Sequence, residues 1–324
     1  MKNLIIIATT LLMSTILSCQ SPKEQALNPS LVLHYDMPAT TWTEALPIGN
    51  GRLAGMIYGR TDSETIQFNE ETLWAGQPHD YAKPGAHQYL DTLRNLLWEG
   101  KQAEAHRLAN EQFMSQPFGQ LCYQPFGNII LKFPGHENVA NYQRLLNLET
   151  AISTVAYEMD GTRFTRQVFA SQPDQAIVVR LESSEKGTLN FIAGLDSPHN
   201  NYTVSVEGNE VILKGKANNY HQEKGRDGYP YPESKLTFEA RLKVLTEGGE
   251  ITLNENSIEV SGAKGATLYL VAATSFVSYN DISGNPSERC LDYLAKLEGK
   301  TYKTLKADHI KDYSNLFSRV SIDL

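Results

Sequence analysis

The chain has 324 residues, with 29 lysines and arginines against 37 aspartates and glutamates, and a formal net charge of −8. Nucleic-acid binding needs a concentrated basic face, so this balance argues against a nucleic acid as partner, whereas a neutral glycan meets no such objection. The eight histidines and three cysteines contain no CxxC or HxxxH pair. We therefore expect no metal site.

The first 19 residues carry the features of an export signal. Lys2 precedes an apolar run over residues 4–17, which is too short to span about 30 Å of hydrocarbon, and residues 16–19 resemble a bacterial lipobox. This pattern predicts a lipoprotein-type signal peptide over 1–19, lipidation of Cys19 and a polar tether over 20–30. The alternative is ordinary secretion with an incidental cysteine. As a lipoprotein, the chain would lie in the periplasm or at the outer membrane and touch the membrane only through the lipid.

Export also permits disulfides, and Cys122 and Cys290 are the two cysteines that remain. Their separation along the chain says nothing about their distance in space, so a bond between them stays open. We favour two free thiols.

The stretch from residue 42 to residue 78 concentrates the unusual chemistry. Glycines alternate there with an amide and a guanidinium, and a second amide, two carboxylates and a large aromatic ring follow: Gly49, Asn50, Gly51, Arg52, Gly55, Asn69, Glu70, Glu71 and Trp74. Such groups can hold a sugar or a partner domain. The alternative is a glycine turn between two strands with a purely structural role.

Two catalytic interpretations of this stretch fail on local grounds. The glycines formally match a dinucleotide fingerprint, but Pro47 interrupts the segment before them and a short strand follows instead of a helix, so we expect no nucleotide cofactor. Glu70 and Glu71 are neighbours on a strand, so their side chains point to opposite faces and do not form a catalytic pair.

Residues 87–114 show apolar positions at helical spacing, interrupted by Gly100. The pattern predicts two helices joined at residues 99–101, as an insertion in a chain that is otherwise rich in strands. Within it, Trp98 is expected to belong to the core.

Beyond Pro117 the hydrophobic pattern changes to period two. It predicts ten strands, at 128–133, 151–158, 163–170, 175–182, 188–195, 202–206, 211–214, 236–244, 257–260 and 267–273. Asp160 and Gly161 predict a two-residue hairpin between the second and third of these. Strands joined by short turns, without intervening helices, indicate a mainly β protein built as a large antiparallel β-sandwich.

The strand at 236–244 alternates strictly, with apolar residues at even positions and Thr237, Glu239, Arg241 and Lys243 between them. This pattern predicts that one face of the strand lies on a core and the other in water.

A long loop at 215–233 carries Tyr220, His221, Tyr229 and Tyr231. Long loops with aromatic residues in a β-sandwich are often binding loops, although a mobile solvent loop has a similar composition. Tyr220 and His221 are therefore candidates for contact with a ligand or a neighbouring domain, and we expect no catalytic role for His221.

Residues 283–324 are predicted to form a helical linker behind a sandwich that spans 31–282. Asn285 and Pro286 provide an N-cap and a first-turn proline, Gly299 ends the first helix, and an amphipathic stripe from residue 302 to residue 317 predicts a second helix.

Four segments, in this order, resemble signature segments of the N-terminal domain of glycoside hydrolase family 95, the alpha-L-fucosidases: EALPIGNGRL at 44–53, NEETLWAG at 69–76, YQPFG at 123–127 and AATSFVSYND at 272–281. The resemblance implies one large sandwich whose two linker helices lead into an (α/α)6 barrel. FSRVSIDL at 317–324 is similar to the entry of that barrel, so we expect the chain to be truncated before it. In this family the catalytic residues of an inverting hydrolysis lie on the barrel, so no catalytic residue is assigned here.

The resemblance, together with the export signal, therefore implies a non-catalytic N-terminal domain of an exported alpha-L-fucosidase-like enzyme that acts on fucosylated glycans through a missing catalytic domain. Its polar turn residues are expected to face that domain and support the rim of its active site: Asn50, Arg52, Asn69, Glu70 and Trp74. The alternative is a free-standing carbohydrate-binding module in which Trp74 or the tyrosine loop stacks a sugar. A third possibility is a structural remnant without a ligand.

Overall fold

The computed structural model describes residues 28–219, 221, 224 and 228–322. The described strands form a nine-stranded and a seven-stranded sheet. In chain order they are β1 Val32–Tyr35, β2 Leu46–Gly49, β3 Leu53–Ile57, β4 Ser63–Glu70, β5 Gly127–Lys132, β6 Ala140–Asn147, β7 Ile152–Met159, β8 Thr162–Ser171, β9 Ala176–Ser183, β10 Leu189–Asp196, β11 Asn201–Glu207, β12 Glu210–Lys216, β13 Thr237–Glu247, β14 Glu250–Leu253, β15 Ser257–Ala263 and β16 Gly265–Thr274. The helices are α1 Leu90–Trp98, α2 Gln102–Gln112, α3 Pro286–Leu297 and α4 Tyr302–Phe317.

The order in the larger sheet is β1-β6-β7-β8-β9-β16-β13-β12-β11, and in the smaller sheet β14-β15-β10-β5-β4-β3-β2. All pairings between these described strands are antiparallel. Asp160 and Gly161 join β7 to β8 with positive φ angles of 50° and 78°, which is the backbone that a tight two-residue hairpin requires. The predicted mainly β, antiparallel sandwich is confirmed, as are the helical insertion and the C-terminal helices.

The core lies between the two sheets. Strand β4 alternates half-buried and buried positions over its whole length, as expected for a strand with one face on a core. Phe68 on this strand packs on Phe126 at 5.2 Å between ring centroids, and Phe126 meets Phe238 of the opposite sheet at 4.7 Å. These aromatic contacts join the two sheets near the end that carries the candidate site.

A second hydrophobic cluster lies on the outer face of the larger sheet. Helix α3 and the start of α4 cover β8, β9, β13 and β16 there, and bury Cys290, Leu294, Leu297 and Leu305 against Phe169, Val178 and Val271. The predicted N-cap of α3 is present, since the Asn285 side chain accepts a hydrogen bond from the Ser287 backbone N–H at 3.0 Å. The linker helices therefore pack on the sandwich.

The prediction that the polar face of β13 lies in water holds at Thr237, which is exposed, but is wrong at Glu239 and Arg241. Glu239 and Arg241 are only 1% and 7% exposed, because α3 covers them. Their charges are balanced within the protein: the Arg241 guanidinium donates to Glu239 at 2.6 Å and to Glu210 at 3.0 Å. The Glu239 carboxylate also accepts a hydrogen bond from the Ser287 hydroxyl of α3. In β13, therefore, the alternating pattern produces a face whose charged residues Glu239 and Arg241 are covered by a helix and are not in water.

The helical insertion lies outside the sandwich. In α1 and α2 the buried residue is Ala105, and Trp98 at the end of α1 is 79% exposed, with Leu97 beside it at 50%. The expectation that Trp98 belongs to the core is therefore wrong, because no layer of the described chain covers this end of α1.

The two cysteines in the described part of the chain, Cys122 and Cys290, are free thiols, so they do not pair with each other. Burial raises the pKa of Cys290 to about 12. Within the described residues, no helix combines the length and the apolar composition that crossing a lipid bilayer requires.

Helix α4 is attached through a buried histidine, and its burial is expected to make stability depend on pH. His309 is 3% exposed, stacks on Phe169 at 4.6 Å, and donates from Nε2 to the Thr150 carbonyl at 2.8 Å. Burial lowers the pKa of His309, and it does the same for His136 and His199. Below about pH 6.5 the unfolded chain takes up protons that these folded-state imidazoles do not, so the free energy of unfolding falls with falling pH.

We expect the urea midpoint of unfolding to decrease between about pH 7 and pH 5. A His309→Asn variant should be less stable at pH 7 because it loses ring packing, but its stability should fall less steeply with acidification. Equal slopes for the variant and the wild-type chain would show that His309 does not contribute to the pH dependence.

Candidate functional site

The tip of the β2–β3 hairpin is shaped by Asn50. Its side-chain oxygen accepts hydrogen bonds from the backbone N–H groups of Arg52 at 3.0 Å and Leu53 at 2.7 Å. Gly51 between them has a φ of 92°, which favours glycine. The amide nitrogen of Asn50 donates to the Ser171 carbonyl of the other sheet at 2.8 Å. Asn50 therefore forms the turn and also ties it to the larger sheet.

The Arg52 side chain points inward and is 14% exposed. Its Nε and Nη2 donate to the side-chain and backbone oxygens of Gln175 at 2.6 and 3.0 Å, and Nη1 donates to the Ala272 carbonyl at 2.6 Å. The guanidinium lies 3.6 Å from the Glu70 carboxylate and 4.4 Å above the ring of Tyr293 in α3. Protein groups thus engage this guanidinium on its edges and on one face, and it joins the hairpin to both sheets and to the linker helix.

Glu70 is 4% exposed at the end of β4. Its Oε2 accepts from the Thr72 backbone N–H at 2.9 Å and from the Thr72 hydroxyl at 2.7 Å, while Oε1 faces Arg52. Burial raises the pKa of Glu70, and the hydrogen bonds from Thr72 and the charge of Arg52 oppose that shift. The Thr72 hydroxyl in turn contacts the hydroxyl of Thr274. The carboxylate is consequently held in place by protein partners.

Trp74 and Tyr123 form an exposed aromatic pair next to this buried junction. Their ring centroids are 5.5 Å apart at an interplanar angle of 55°, and the residues are 40% and 39% exposed. The indole N–H donates to the Glu71 carbonyl at 3.1 Å and the phenol to the Glu70 carbonyl at 3.0 Å. The Asn69 side chain on β4 is half-buried.

The four signature segments meet at this end of the sandwich. The first contributes Arg52, which contacts Glu70 of the second and the Ala272 carbonyl of the fourth. The third contributes Tyr123, which is bonded to the carbonyl of Glu70. Segments far apart in sequence therefore build one continuous contact network.

The sequence that builds this arrangement matches a known protein family. The family model described as "Glycosyl hydrolase family 65, N-terminal domain" matches residues 33–279. The chain belongs to this family. This glycosyl hydrolase N-terminal domain is 33% identical in sequence to "Alpha-L-fucosidase 2" of Arabidopsis thaliana, and the match covers 93% of this chain and 37% of that protein. It is 27% identical to "Probable alpha-fucosidase A" of Aspergillus niger, over 87% of this chain and 36% of that protein.

The chain thus spans little more than a third of these relatives, at 37% and 36% of their lengths. The predicted relationship to the N-terminal domain of alpha-L-fucosidases is confirmed by the family model and by these relatives together.

Sequence reasoning missed one element of the glycosyl hydrolase N-terminal domain: the turn at residues 171–175 between β8 and β9. Gln175 there accepts two hydrogen bonds from Arg52 and has a positive φ of 54°. Asp174 is fully buried, accepts from the Ser171 hydroxyl at 2.5 Å, and pairs with Lys300 between α3 and α4. The sequence Ser-Gln-Pro-Asp at 171–174 is a turn signal that could have pointed to it.

The tyrosine loop lies beside the second signature segment. At its C-terminal base, the Ser234 hydroxyl accepts from the Gly76 N–H at 2.6 Å, and the Lys235 N–H donates to the Gly76 carbonyl at 3.0 Å. Tyr231 donates to the Phe118 carbonyl at 3.3 Å. His221 is exposed on this loop, and Tyr220 lies outside the described residues, as does Cys19.

Proposed function

We propose that this chain is the non-catalytic N-terminal part of an exported alpha-L-fucosidase, and that it supports a helical-barrel catalytic domain acting on fucosylated glycans. The names of the relatives support the enzyme class. The observation that carries the supporting role is the network around Arg52, because it joins the four signature segments to α3. The sandwich would comprise residues 31–282 and the linker to the barrel residues 283–324.

The side chains at the site support a non-catalytic role. Hydrolysis of a glycoside needs a protonated acid at the leaving oxygen and a second group that activates water on the opposite face. Strand β4 ends at Glu70, which is buried against Thr72 and Arg52, and Glu71 is exposed in the turn that follows, so the two carboxylates lie in different environments and are not neighbours on one strand as the sequence predicted. In our proposal the network around Arg52 positions the rim of the active site, and the barrel supplies the acid and the base.

We also propose that residues 1–19 direct export and that Cys19 carries the lipid anchor, at the periplasm or the outer membrane. The sequence around Cys19 supports this location. The anchor would hold the enzyme at a membrane through residues 20–30.

The native protein tests these proposals in one experiment. Antibodies raised against the purified chain would capture the native protein from the cells that make it. Its mass, its N-terminal modification and its release of L-fucose would then be measured. We expect a polypeptide much longer than this chain, a lipidated Cys19 and fucosidase activity. The purified chain alone should release no fucose, and fucose release by it would contradict the non-catalytic role.

One observation favours a second function. The exposed Trp74 and Tyr123 rings would suit a free-standing carbohydrate-binding module without hydrolase activity. Capture of a 36.2 kDa chain or its processed form, without activity and without a partner, would favour this module.

A further inference from the structure

We propose that Trp74 and Tyr123 form an aromatic platform that stacks one pyranose ring of a neutral saccharide. The inference deepens the proposed function and rests on it for the biological origin of the saccharide, because it makes one part of the site a direct sugar contact. Binding itself would need only the described chain.

The platform is preorganised. Trp74 and Tyr123 face each other in an isolated antiparallel bridge, which is extended by backbone hydrogen bonds from Ala75 to Cys122 at 3.0 Å and from Gln124 to Leu73 at 2.9 Å. Because the polar end of each ring is already bonded to a backbone carbonyl at the end of β4, the rings are held with part of their surface in solvent. Ordering such rings costs little further entropy when a ligand binds.

The hydrogen bonds of the platform also limit the class of ligand. With the indole N–H and the phenol O–H engaged, the exposed ring surface offers mainly apolar contact. A pyranose ring has an apolar C–H face and a rim of hydroxyl groups. The half-buried Asn69 amide and the exposed Glu71 carboxylate lie beside the platform in sequence and can bond such hydroxyls.

The surrounding charge favours a neutral saccharide. Glu71 is exposed next to Trp74, and the chain carries a net charge of −8, so an anionic sugar would meet repulsion. A purely apolar protein surface would desolvate the Glu71 carboxylate without offering it a hydrogen bond, which is unfavourable. The hydroxyl groups of a neutral sugar carry no negative charge and can donate hydrogen bonds to the Glu71 carboxylate.

The test follows the indole N–H resonances of the full chain while a saccharide is added. The three tryptophans, Trp42, Trp74 and Trp98, are all exposed and report independently. The probes are methyl α-L-fucopyranoside, methyl β-D-galactopyranoside and mannitol, which has hydroxyl groups but no ring. We expect at least one pyranoside to shift the Trp74 resonance saturably with a Kd of about 1–10 mM, and mannitol to leave it unchanged.

Matched variants separate stacking from folding. Binding by these variants is read from saturation-transfer difference spectra of the saccharide, which do not need the Trp74 resonance: Trp74→Ala should weaken binding at least tenfold, whereas Trp74→Phe, which keeps a ring face, should retain part of it. Trp98→Ala removes a more exposed tryptophan at the end of α1, in the helical insertion, and should bind like the wild-type chain. Near-ultraviolet circular dichroism and thermal unfolding verify that each variant is folded.

Absence of a saturable Trp74 shift with both pyranosides, an equal response to mannitol, or full binding by folded Trp74→Ala would overturn the platform. These outcomes are separate from failure of the proposed function. If the native protein is a long fucosidase and the titration fails, the platform alone is wrong. If the pyranoside binds but the native protein is short and inactive, the platform stands and the fucosidase assignment falls.

Discussion

Replacing Arg52 by alanine is expected to lower the free energy of unfolding by about 3–5 kcal/mol, because one side chain joins three parts of the fold. The substitution removes the hydrogen bonds to Gln175 and Ala272 and the contact with the Tyr293 ring. It also leaves the Glu70 carboxylate, 4% exposed, without its cationic partner. An uncompensated buried charge costs more than the pair contributed while intact.

Urea unfolding at neutral pH measures this effect. Arg52→Lys keeps the charge but loses the planar fork that spans Gln175 and Ala272, so an intermediate loss is expected. Arg94→Ala is the matched control, because Arg94 is 54% exposed and pairs only at the surface, with Asp91 at 3.5 Å. It should cost about 0.5 kcal/mol or less. If Arg52→Ala behaves like Arg94→Ala, the network does not hold this end of the sandwich together.

Glu64→Gln is expected to be comparably destabilising, by about 3–5 kcal/mol, at a buried ion pair between the sheets. Glu64 and Arg166 are fully buried and 2% exposed, respectively, and their side chains are directly bonded. Glutamine can still accept from the Gly59 N–H, which bonds Glu64 at 2.9 Å. It cannot neutralise Arg166, and arginine does not lose its proton in proteins. Because the pKa of Glu64 is raised in the folded chain, wild type gains stability as the pH falls and the glutamine variant does not, so the cost should be larger at pH 5 than at pH 7.

The reverse variant, Arg166→Met, should depend on pH. Burial already raises the pKa of Glu64, and Arg166 is the largest influence that opposes the shift. Without Arg166, the folded-state pKa of Glu64 rises further above its unfolded value, so the folded chain binds a proton more readily at low pH. The substitution should therefore cost less unfolding free energy at pH 5 than at pH 7.

Urea unfolding of both single variants and of the double variant Glu64→Gln/Arg166→Met, at the two pH values, measures this coupling. The double variant should lose less than the sum of the single losses. Additive losses would show that the charges do not stabilise each other.

The fold followed from the sequence where local pattern and tertiary environment agree. The period-two pattern marked ten of the sixteen described strands, although it missed β4, which alternates regularly, and Asp160-Gly161 marked a hairpin that has the required positive φ angles. Strand β14, Glu250–Leu253, could not be found this way because all four of its residues are exposed, so it has no buried side to produce a pattern.

The remaining errors concern what covers a surface. Nothing within β13 indicates that α3, more than forty positions later, buries Glu239 and Arg241. Likewise, the size of Trp98 suggests burial, but the position of its helix outside the sandwich decides its exposure. Packing between segments far apart in sequence determines which of these side chains are buried, and the hydrophobic period of a single segment carries no information about that packing.

The sequence pointed to the residues of the candidate site as a group but did not indicate which of them are buried and which are exposed. Glycine spacing and unusual polar residues pointed to Asn50, Arg52, Asn69, Glu70 and Trp74. The structure divides them by environment: Arg52 and Glu70 are engaged by protein partners, whereas Trp74 keeps an exposed ring. That division depends on Gln175 and Tyr293, which are more than a hundred residues away in sequence.

The buried turn at residues 171–175 has a mechanical consequence. Asn50 and Arg52 of the hairpin donate hydrogen bonds to this turn, and Lys300 at the junction of α3 and α4 forms an ion pair with its Asp174. Because this turn bonds both to the β2–β3 hairpin and to the junction of α3 and α4, we expect a displacement of that junction to be transmitted to the hairpin, and so from the larger sheet to the smaller one.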